Sequence, residues 1–373
     1  MEKETEKTEI ILTISEKNSK KIKNPSTFNK IYRSLAKIYQ SRSSAKMDNV
    51  VLERNPNNPI IVPGLHSWES KATFNPGAFE VNGKIHLVYR AVGDDDTSVF
   101  GYASSYDGIT FSERCSNPIY KKPELKLKSN FVSGPKDVGW KGGCEDPRLV
   151  LIGDTLYMTY TSFAGWESLR MTLTSIKFSD FEQKKWNWKN PVLISLPNEI
   201  NKNWVIFPEK INGKFAILHS FYPKILIDYF DSLDELDGKK FIKSDNTRPA
   251  NPNRTWDSWF RGVGPAPVKI KEGWLILYHA TNYNNPERYR IGALILDSND
   301  PTKIIYRSNQ PILEPDEWYE NEGYKKGVIY ACGAVVKDGR LFVYYGGADK
   351  VICAASVKLV DLINDLKKYK TIN

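Results

Sequence analysis

The chain has 373 residues, of which 40% are hydrophobic, 12% aromatic and 26% charged, enough for one large or two average domains. No stretch reaches the roughly 20 consecutive apolar residues of a membrane span, and the N-terminus has no apolar segment typical of a signal peptide. We therefore expect a cytoplasmic protein with no membrane contact. Most of the net charge of +9 lies in residues 1–46, so the balanced remainder argues against a nucleic-acid partner.

Residues 1–26 are polar and rich in lysine, a composition typical of a disordered tail. In residues 27–46 apolar side chains recur at helical spacing, which predicts a basic amphipathic helix. The apolar positions are Phe28, Ile31, Tyr32, Leu35, Ile38 and Tyr39. We expect this helix to pack on the folded body or to join copies of the chain in a homo-oligomer; contact with a membrane surface or nucleic acid is the less favoured alternative.

From residue 51 to residue 357 the pattern changes to alternating apolar and polar residues broken by Gly, Asn and Asp, as in β-strands. Five segments indicate a strand, a tight turn and a second strand. Their turn glycines, 60 to 70 residues apart, are Gly83, Gly153, Gly213, Gly273 and Gly339. The repeat predicts an all-β fold, a five-bladed β-propeller with one such hairpin in each blade. A two-sheet sandwich is the alternative.

Residues 358–373 are predicted to form a short amphipathic helix followed by a tail. The apolar positions on one helical face are Leu359, Leu362, Ile363 and Leu366. Because this segment follows the last predicted strand directly, we expect the helix to pack on the outside of the sheets.

Charged residues concentrate at one edge of each repeat, beside the hairpin. The strongest motif is the box Glu145-Asp146-Pro147-Arg148. A propeller would bring such positions to a shared axial pocket, but Asp-Pro also begins many surface turns, so a solvated turn is the alternative. Arg90 with the acidic run Asp94–Asp96 forms a second cluster, which is either a solvated loop or a site for sugar hydroxyls.

The residues that other chemistries need are missing or dispersed. The four cysteines, without zinc or disulfide spacing, are Cys115, Cys144, Cys332 and Cys353. The sequence has no phosphate-binding glycine loop and no GxSxG motif. His86 is interpreted as structural, whereas His279 ends a predicted strand where it would face the axis and contact a ligand. We expect no metal and no cofactor.

Taken together, the motifs resemble glycoside hydrolase family 130. They are NPxxF at Asn75, YR at Arg90, the GxEDPR-like box at Asp146, FPxKING at Phe207, GWLxxYHA at Gly273 and YYGGAD ending at Asp349. The resemblance covers about residues 52–357. It implies a five-bladed propeller and an inverting enzyme that cleaves β-mannosidic bonds in mannose-containing oligosaccharides, by phosphorolysis in some members and by hydrolysis in others.

The resemblance also implies roles for individual residues. Asp146 corresponds to the family's proton donor, which acts through a hydroxyl of the bound mannose. The expected substrate-binding residues are Asn75, Arg90, Asp95, Asp96, Arg148, His279 and Asp349.

Glu209 departs from the family pattern, because phosphorylases of the family usually have an arginine there. A carboxylate beside a phosphate dianion costs Coulomb energy, whereas it could deprotonate water as a general base. We therefore predict hydrolysis, with Asp146 and Glu209 as the catalytic pair. An ordinary salt bridge of Glu209 with Lys210 or Lys214 is the alternative.

Two other functions stay open. The second interpretation is phosphorolysis to mannose 1-phosphate, with inorganic phosphate as co-substrate and with Lys210 and Arg261 as candidate phosphate ligands. The third is a carbohydrate-binding propeller without catalytic activity.

Overall fold

A computed structural model describes most of the chain, namely residues 49–121, 140–163, 169–245, 247 and 249–370. The predicted tail of residues 1–26 and the predicted helix of residues 27–46 lie outside the described residues. The described part is mostly β, with a few short helices. Within it, every helix is too short or too polar to cross a membrane.

The strands are labelled in chain order. The first nine are β1 (Glu53–Arg54), β2 (Ala72–Val81), β3 (Lys84–Val92), β4 (Thr97–Ser105), β5 (Glu113–Arg114), β6 (Gly142–Ile152), β7 (Thr155–Phe163), β8 (Leu169–Lys177) and β9 (Val192–Leu193). The others are β10 (Val205–Ile206), β11 (Phe215–Ser220), β12 (Leu226–Phe230), β13 (Trp259–Val263), β14 (Val268–Ile270), β15 (Gly273–Asn282), β16 (Asn285–Leu296), β17 (Ile304–Arg307), β18 (Ile329–Lys337), β19 (Arg340–Gly347) and β20 (Val351–Lys358). The helices are α1 (Phe178–Glu182), α2 (Trp318–Asn321) and α3 (Leu359–Lys367), with a 3-10 turn at Leu233–Glu235.

Antiparallel pairing divides the described strands into five groups, and each group contains one of the predicted hairpins. The first is β2–β5, the second β6–β9, the third β10–β12 and the fourth β13–β17. The fifth joins β18–β20 with β1. Short parallel bridges link β18 to β2 and β4 to β6, so the fifth, first and second groups share one sheet.

The predicted turn residues end the hairpins. Asn82 and Gly83 have φ values of 53° and 77°, and Asn212 and Gly213 have φ values of 51° and 78°. Asn-Gly favours this left-handed backbone, whose twist matches that of the paired strands. These turns lie at one end of the hairpins, and the charged motifs of the sequence lie toward the other end.

Apolar side chains pack between neighbouring groups of strands. Tyr344 and Leu87 belong to the cluster between the fifth and first groups, and Phe100 and Met158 to the one between the first and second. Met171 and Ile217 belong to the cluster between the second and third groups, and Leu218 and Tyr278 to the one between the third and fourth. The fourth and fifth groups meet where the Ala331 N–H donates to His279 Nε2 at 2.9 Å. Apolar clusters therefore connect the groups in the order fifth, first, second, third and fourth, and the hydrogen bond at His279 connects the fourth group to the fifth.

The predicted C-terminal helix is present as α3. Its buried face includes Leu362, Ile363 and Leu366, three of the four residues that define the apolar face in the sequence. The helix packs near the ends of β16, β17 and β20, and Lys367 forms an ion pair with Glu272 at 2.6 Å.

Candidate active site

The strand before the hairpin turn is irregular near its start in four of the five groups. The bulged positions are Asn75, Asp146, Arg261 and Cys332. Asn75 and Asp146 have φ values of 48° and 54°, in the left-handed region that Asn and Asp tolerate better than most residues. Each precedes a proline, which has no N–H for the sheet. A bulge re-aims its side chain, so Asn75 and Asp146 turn toward one another.

Asp146 lies at the centre of a charged cluster. Asn75 Nδ2 donates to Asp146 Oδ1 at 2.8 Å, and Arg90 Nη1 lies 3.5 Å from the same oxygen. The side chain of Asp146 is 11% exposed, so it is partly open to a ligand. Its carbonyl accepts from Arg148 Nη1 at 2.8 Å, which fixes the backbone of the bulge.

The Arg90 guanidinium is held between rings and carboxylates. It lies 4.7 Å from the Phe74 ring centroid and 4.9 Å from that of Trp140. Arg90 Nη2 donates to Glu145 Oε1 at 2.6 Å, and Nε donates to Ser98 Oγ at 3.0 Å. The charge of Arg90 therefore sits at a fixed distance from both Glu145 and Asp146.

The pKa values of Glu145 and Asp146, the two adjacent carboxyl groups of the box, are shifted in opposite directions. Burial alone would raise the pKa of Asp146, but the charges of Arg90 and Arg148 and the hydrogen bond from Asn75 lower it. Burial raises the pKa of Glu145 despite the charge of Arg90. Neighbouring carboxyl groups whose pKa values are driven apart are typical of acid and base sites.

Asp349 completes the cluster from the end of β19. It is buried with a φ value of 53°. Burial raises its pKa, against the charges of Lys325 and Arg90, and the Asp146 charge adds to the increase. The chain passes close to Asn75 here, because a Cβ on Gly346 would clash with Asn75 Oδ1.

Arg148 connects three groups of strands instead of presenting its charge to a ligand. It is 2% exposed, and its Nε donates to the Gly264 carbonyl at 2.8 Å. Its Nη2 donates to Asn203 Oδ1 at 2.9 Å, and Tyr330 Oη donates to the same oxygen at 2.6 Å. Arg148 therefore holds the backbone around Asp146, and its predicted substrate-binding role stays a prediction.

His279, near the end of β15, is fully buried behind another ring. Its imidazole stacks on Tyr330 with the ring centroids 4.0 Å apart. Burial and the charge of Arg148 lower the pKa of His279 to about 3, so the ring is neutral at physiological pH. The structure thus places it behind the site, in contact with Tyr330 and the backbone of Ala331.

Asp95 and Asp96 lie in the turn between β3 and β4, on the same side of the sheets as Arg90. Asp95 is exposed, and its Oδ1 accepts from the Thr97 N–H at 3.0 Å. Asp96 pairs with Lys71 at 2.5 Å. Asp95 and Asp96 stabilise the turn and its contact with Lys71, and neither forms a described contact with Asp146.

Glu209 and Lys210, which the sequence suggested as a general base and a phosphate ligand, make no described contact with this cluster. Both are exposed and lie just before the Asn212-Gly213 turn. Asn203, which hydrogen-bonds to Arg148, is six residues earlier. Lys210 Nζ lies 4.5 Å from the Phe215 ring centroid. The position of Glu209 in the hairpin places it at the turn end.

A pocket lies beside Asn203, between the third and fourth groups. Its lining consists of Lys202, Asn203, Leu218, His219, Ser220, Phe221, Tyr222, Asp245, Phe260, Arg261, Gly262 and Val263. Lys202 also helps to lower the pKa of Asp146. The pocket and the Asp146 cluster are therefore electrostatically coupled.

Arg261 brings a second positive charge to the pocket. Its Nε donates to Tyr289 Oη at 2.7 Å, and its guanidinium lies 4.3 Å from the Trp259 ring centroid. The carboxylate of Asp245 also lines the pocket, but its Oδ1 accepts from Thr247 N at 2.9 Å and Oγ1 at 2.8 Å. The described lining therefore carries two cations and one internally bonded carboxylate.

The sequence-based reasoning missed Lys202, Asn203, Lys325 and Tyr330. Asn203 has a φ value of 69°, like the bulged Asn75 and Asp146. Counting back from the turn glycines would have found it, because Asn75, Asp146 and Asn203 precede their turn glycines by similar distances. Lys325 precedes β18 in a loop without a motif, and nothing in the sequence marks it.

Comparisons with known proteins agree with this geometry. A family model described as β-1,4-mannooligosaccharide phosphorylase, glycoside hydrolase family 130, matches residues 51–368. A 1,2-β-oligomannan phosphorylase of Thermoanaerobacter sp. (strain X514) is 38% identical over 324 residues, covering 84% of this chain and 99% of the relative. A β-1,2-mannobiose phosphorylase of the same strain is 35% identical, covering 82% of this chain and 97% of the relative.

A solved structure gives the same result at the level of the fold. The β-1,2-mannobiose phosphorylase from Listeria innocua, in complex with β-1,2-mannobiose, superimposes with a TM-score of 0.66 at 26% identity. The match covers 86% of this chain and 100% of that chain.

Proposed function

The chain belongs to glycoside hydrolase family 130, and we propose that it is an inverting phosphorylase of β-1,2-linked mannosides. It would use inorganic phosphate to cleave the terminal mannosidic bond and release α-mannose 1-phosphate. Two observations support phosphorolysis over the hydrolysis that the sequence alone favoured. The similar curated relatives are phosphorylases, and Glu209, the candidate base, lies at the turn end of its hairpin.

The observation that carries the proposal is the pair of basic residues in the pocket next to Asn203. Lys202 and Arg261 line the pocket next to Asn203, where an anion would gain from both charges. In an inverting mechanism the nucleophile attacks the face of the sugar opposite the proton donor. We assign this pocket to phosphate and the Asp146 cluster to the terminal mannose.

In this mechanism Asp146 delivers a proton to the glycosidic oxygen, directly or through a sugar hydroxyl. The bond between C1 and that oxygen breaks, and a phosphate oxygen forms the new bond to C1. Hydrogen phosphate releases its own proton to solvent as the new bond forms, and Asp146 takes up a proton from solvent after the product leaves, which balances the cycle. Against the effect of burial, Arg90, Arg148 and, to a smaller extent, Lys202 lower the pKa of Asp146 in the free site, so an anion bound beside Lys202 offsets part of this effect and favours the protonated form of Asp146.

Asn75, Arg90 and Asp349 are the proposed mannose-binding residues. Asn75 donates to Asp146 and Arg90 lies beside it, burial and the charge of Asp146 raise the pKa of Asp349, and the half-buried ring of Trp140 lies against Arg90. Carboxylate, amide and guanidinium groups bind sugar hydroxyls, and an aromatic ring packs on the apolar face of a pyranose. Asp95 and Asp96 would contribute only at the rim of the site.

We also propose that the five groups of strands are the blades of a five-bladed propeller. The packing order supports it, because each group contacts the next and the fourth contacts the fifth at His279 and Ala331. A propeller collects the starts of its inner strands around one axis. Asn75, Asp146 and Asn203 all lie at such starts.

The test is product analysis of β-1,2-mannobiose cleavage with and without phosphate. We expect mannose 1-phosphate of α configuration to form only when phosphate is present, as followed by phosphorus and proton NMR. β-1,4-Mannobiose and longer β-1,2-mannans, assayed in parallel, establish linkage and chain-length preference. Release of free mannose at the same rate without phosphate would show a hydrolase instead.

A further inference from the structure

His219 is a buried polar side chain in the pocket that the proposed mechanism has not yet used. It lies near the end of β11, at an irregularity between Leu218 and Ser220 in the pairing with β12. Its side chain is 3% exposed, and the residue lines the pocket together with Lys202 and Arg261. His219 therefore borders the same pocket as Lys202 and Arg261.

One nitrogen of His219 has no partner. Nδ1 makes no hydrogen bond within the described part of the chain. Nε2 lies 3.8 Å from Asp228 Oδ2, and the ring contacts the edge of Trp204 with the centroids 5.5 Å apart. A buried polar atom without a partner is costly, which points to a ligand that supplies the missing hydrogen bond.

His219 has a place along its strand similar to that of polar residues in two other groups. His219 follows its turn glycine, Gly213, by six residues, and His279 follows Gly273 by the same number. In the first group Arg90, which lies beside Asp146, follows Gly83 by seven residues.

We propose that His219 binds the phosphate co-substrate through Nδ1, together with Lys202 and Arg261. This inference rests on the proposed phosphorylase function. Hydrogen phosphate has both acceptor oxygens and one O–H donor, so it completes a hydrogen bond with Nδ1 in either tautomer of a neutral ring. Burial lowers the pKa of His219, and a neutral ring meets this requirement.

Three variants test the contact atom. In His219→Asn the amide nitrogen lies near the place of Nδ1, whereas in His219→Gln it lies near the place of Nε2. His219→Phe keeps the ring against Trp204 and removes both nitrogens. With saturating β-1,2-mannobiose, we expect KM for phosphate to rise about 10-fold or more in the Phe and Gln variants. It should rise less than 3-fold in the Asn variant, and KM for mannobiose should stay within about 2-fold in all three.

His86→Phe is the matched control, because His86 is also buried but lies in the core between the first and second groups, stacked on Phe79. It should leave KM for phosphate unchanged. If KM for phosphate is unchanged in His219→Phe, or if both KM values rise together, the proposed contact is wrong. Rescue by Gln in place of Asn also overturns it. A wild-type enzyme that needs no phosphate overturns the proposed function itself.

Discussion

Asp146 and Asp257 are both buried aspartates beside two arginines, but they differ in how many hydrogen bonds their carboxylate oxygens accept. Asp257 Oδ1 accepts from Arg254 Nε at 2.6 Å, and its Oδ2 accepts from Arg254 Nη2, Tyr278 Oη and Arg307 Nη2, each at 2.8 Å. The described hydrogen bond to the side chain of Asp146 goes to Oδ1 alone. Asp257, before β13, is not among the residues with positive φ, whereas Asp146 has a φ value of 54°.

This difference distinguishes a structural carboxylate from a functional one. A buried carboxylate whose oxygens are all hydrogen-bonded has no free lone pair for a ligand and holds its neighbours in place. A carboxylate with one bonded oxygen, on a strained bulge, keeps the other oxygen for substrate. The same residue type therefore affects stability at one position and the reaction at the other.

Replacing Asp146 should produce the largest change in activity. Asp146→Asn keeps the shape and tolerates the left-handed backbone, but it removes the transferable proton. General acid catalysis typically contributes 10²- to 10⁴-fold, so we expect kcat for phosphorolysis to fall about 1000-fold. The urea midpoint of unfolding should stay close to that of the wild type. A variant with more than a tenth of the wild-type kcat would exclude Asp146 as the proton donor.

Replacing Asp257 should have the opposite effect. Asp257→Asn leaves Arg254 and Arg307 without their anion, and breaking a buried ion pair from one side typically costs about 3 kcal/mol. We expect the free energy of unfolding, from urea titration, to fall by about that amount, while kcat at 20 °C changes less than about 3-fold. Loss of kcat without loss of stability would mean that this cluster also belongs to the site.

The hairpins could be predicted from the sequence because their turns are local. Asn-Gly at 82–83 and at 212–213 requires a backbone that few other pairs adopt, and alternation fixes the strands on either side. The apolar face of α3 is equally local. The sequence does not show which strand ends meet. Arg148 hydrogen-bonds to Asn203, which is 55 residues away in the sequence, and Tyr330 hydrogen-bonds to Asn203 across 127 residues.

The prediction for Glu209 rests on a motif match, which does not say where along its hairpin a residue lies, whereas the distance from the turn does. Glu209 is four residues before Gly213, so it had to lie near the turn, whereas Asn203, ten residues before it, reaches the other end. Position relative to the turn therefore adds information that residue type alone does not give.

Acid should destabilise the protein through its buried neutral histidines. The pKa of His279 is lowered to about 3 in the folded state by burial and by the charge of Arg148, while the unfolded value is about 6.5. The unfolded state therefore binds the proton first, and the stability contributed above pH 6.5 is lost as the pH falls toward 3. Between pH 7.5 and pH 5 this amounts to about 2 kcal/mol.

The contribution of His279 is measured by a difference, because Glu145 and Asp349 have raised pKa values and act in the opposite direction. His279→Gln keeps an acceptor for the Ala331 N–H and does not titrate. We expect the wild type to lose about 2 kcal/mol more than this variant between pH 7.5 and pH 5, as measured by urea unfolding. Parallel pH dependences would show that His279 is not neutral in the fold.

The smallest effect is expected at Glu209, the carboxylate that the turn keeps away from Asp146. Because Glu209 is exposed and lies near the Asn212-Gly213 turn, Glu209→Gln should leave kcat and both KM values within about 2-fold, and stability within about 0.5 kcal/mol. The rates of mannobiose cleavage by Glu209→Gln and by the wild type should be measured both with and without phosphate. A general base is needed only for attack by water, so a selective loss of phosphate-independent cleavage would return Glu209 to the reaction.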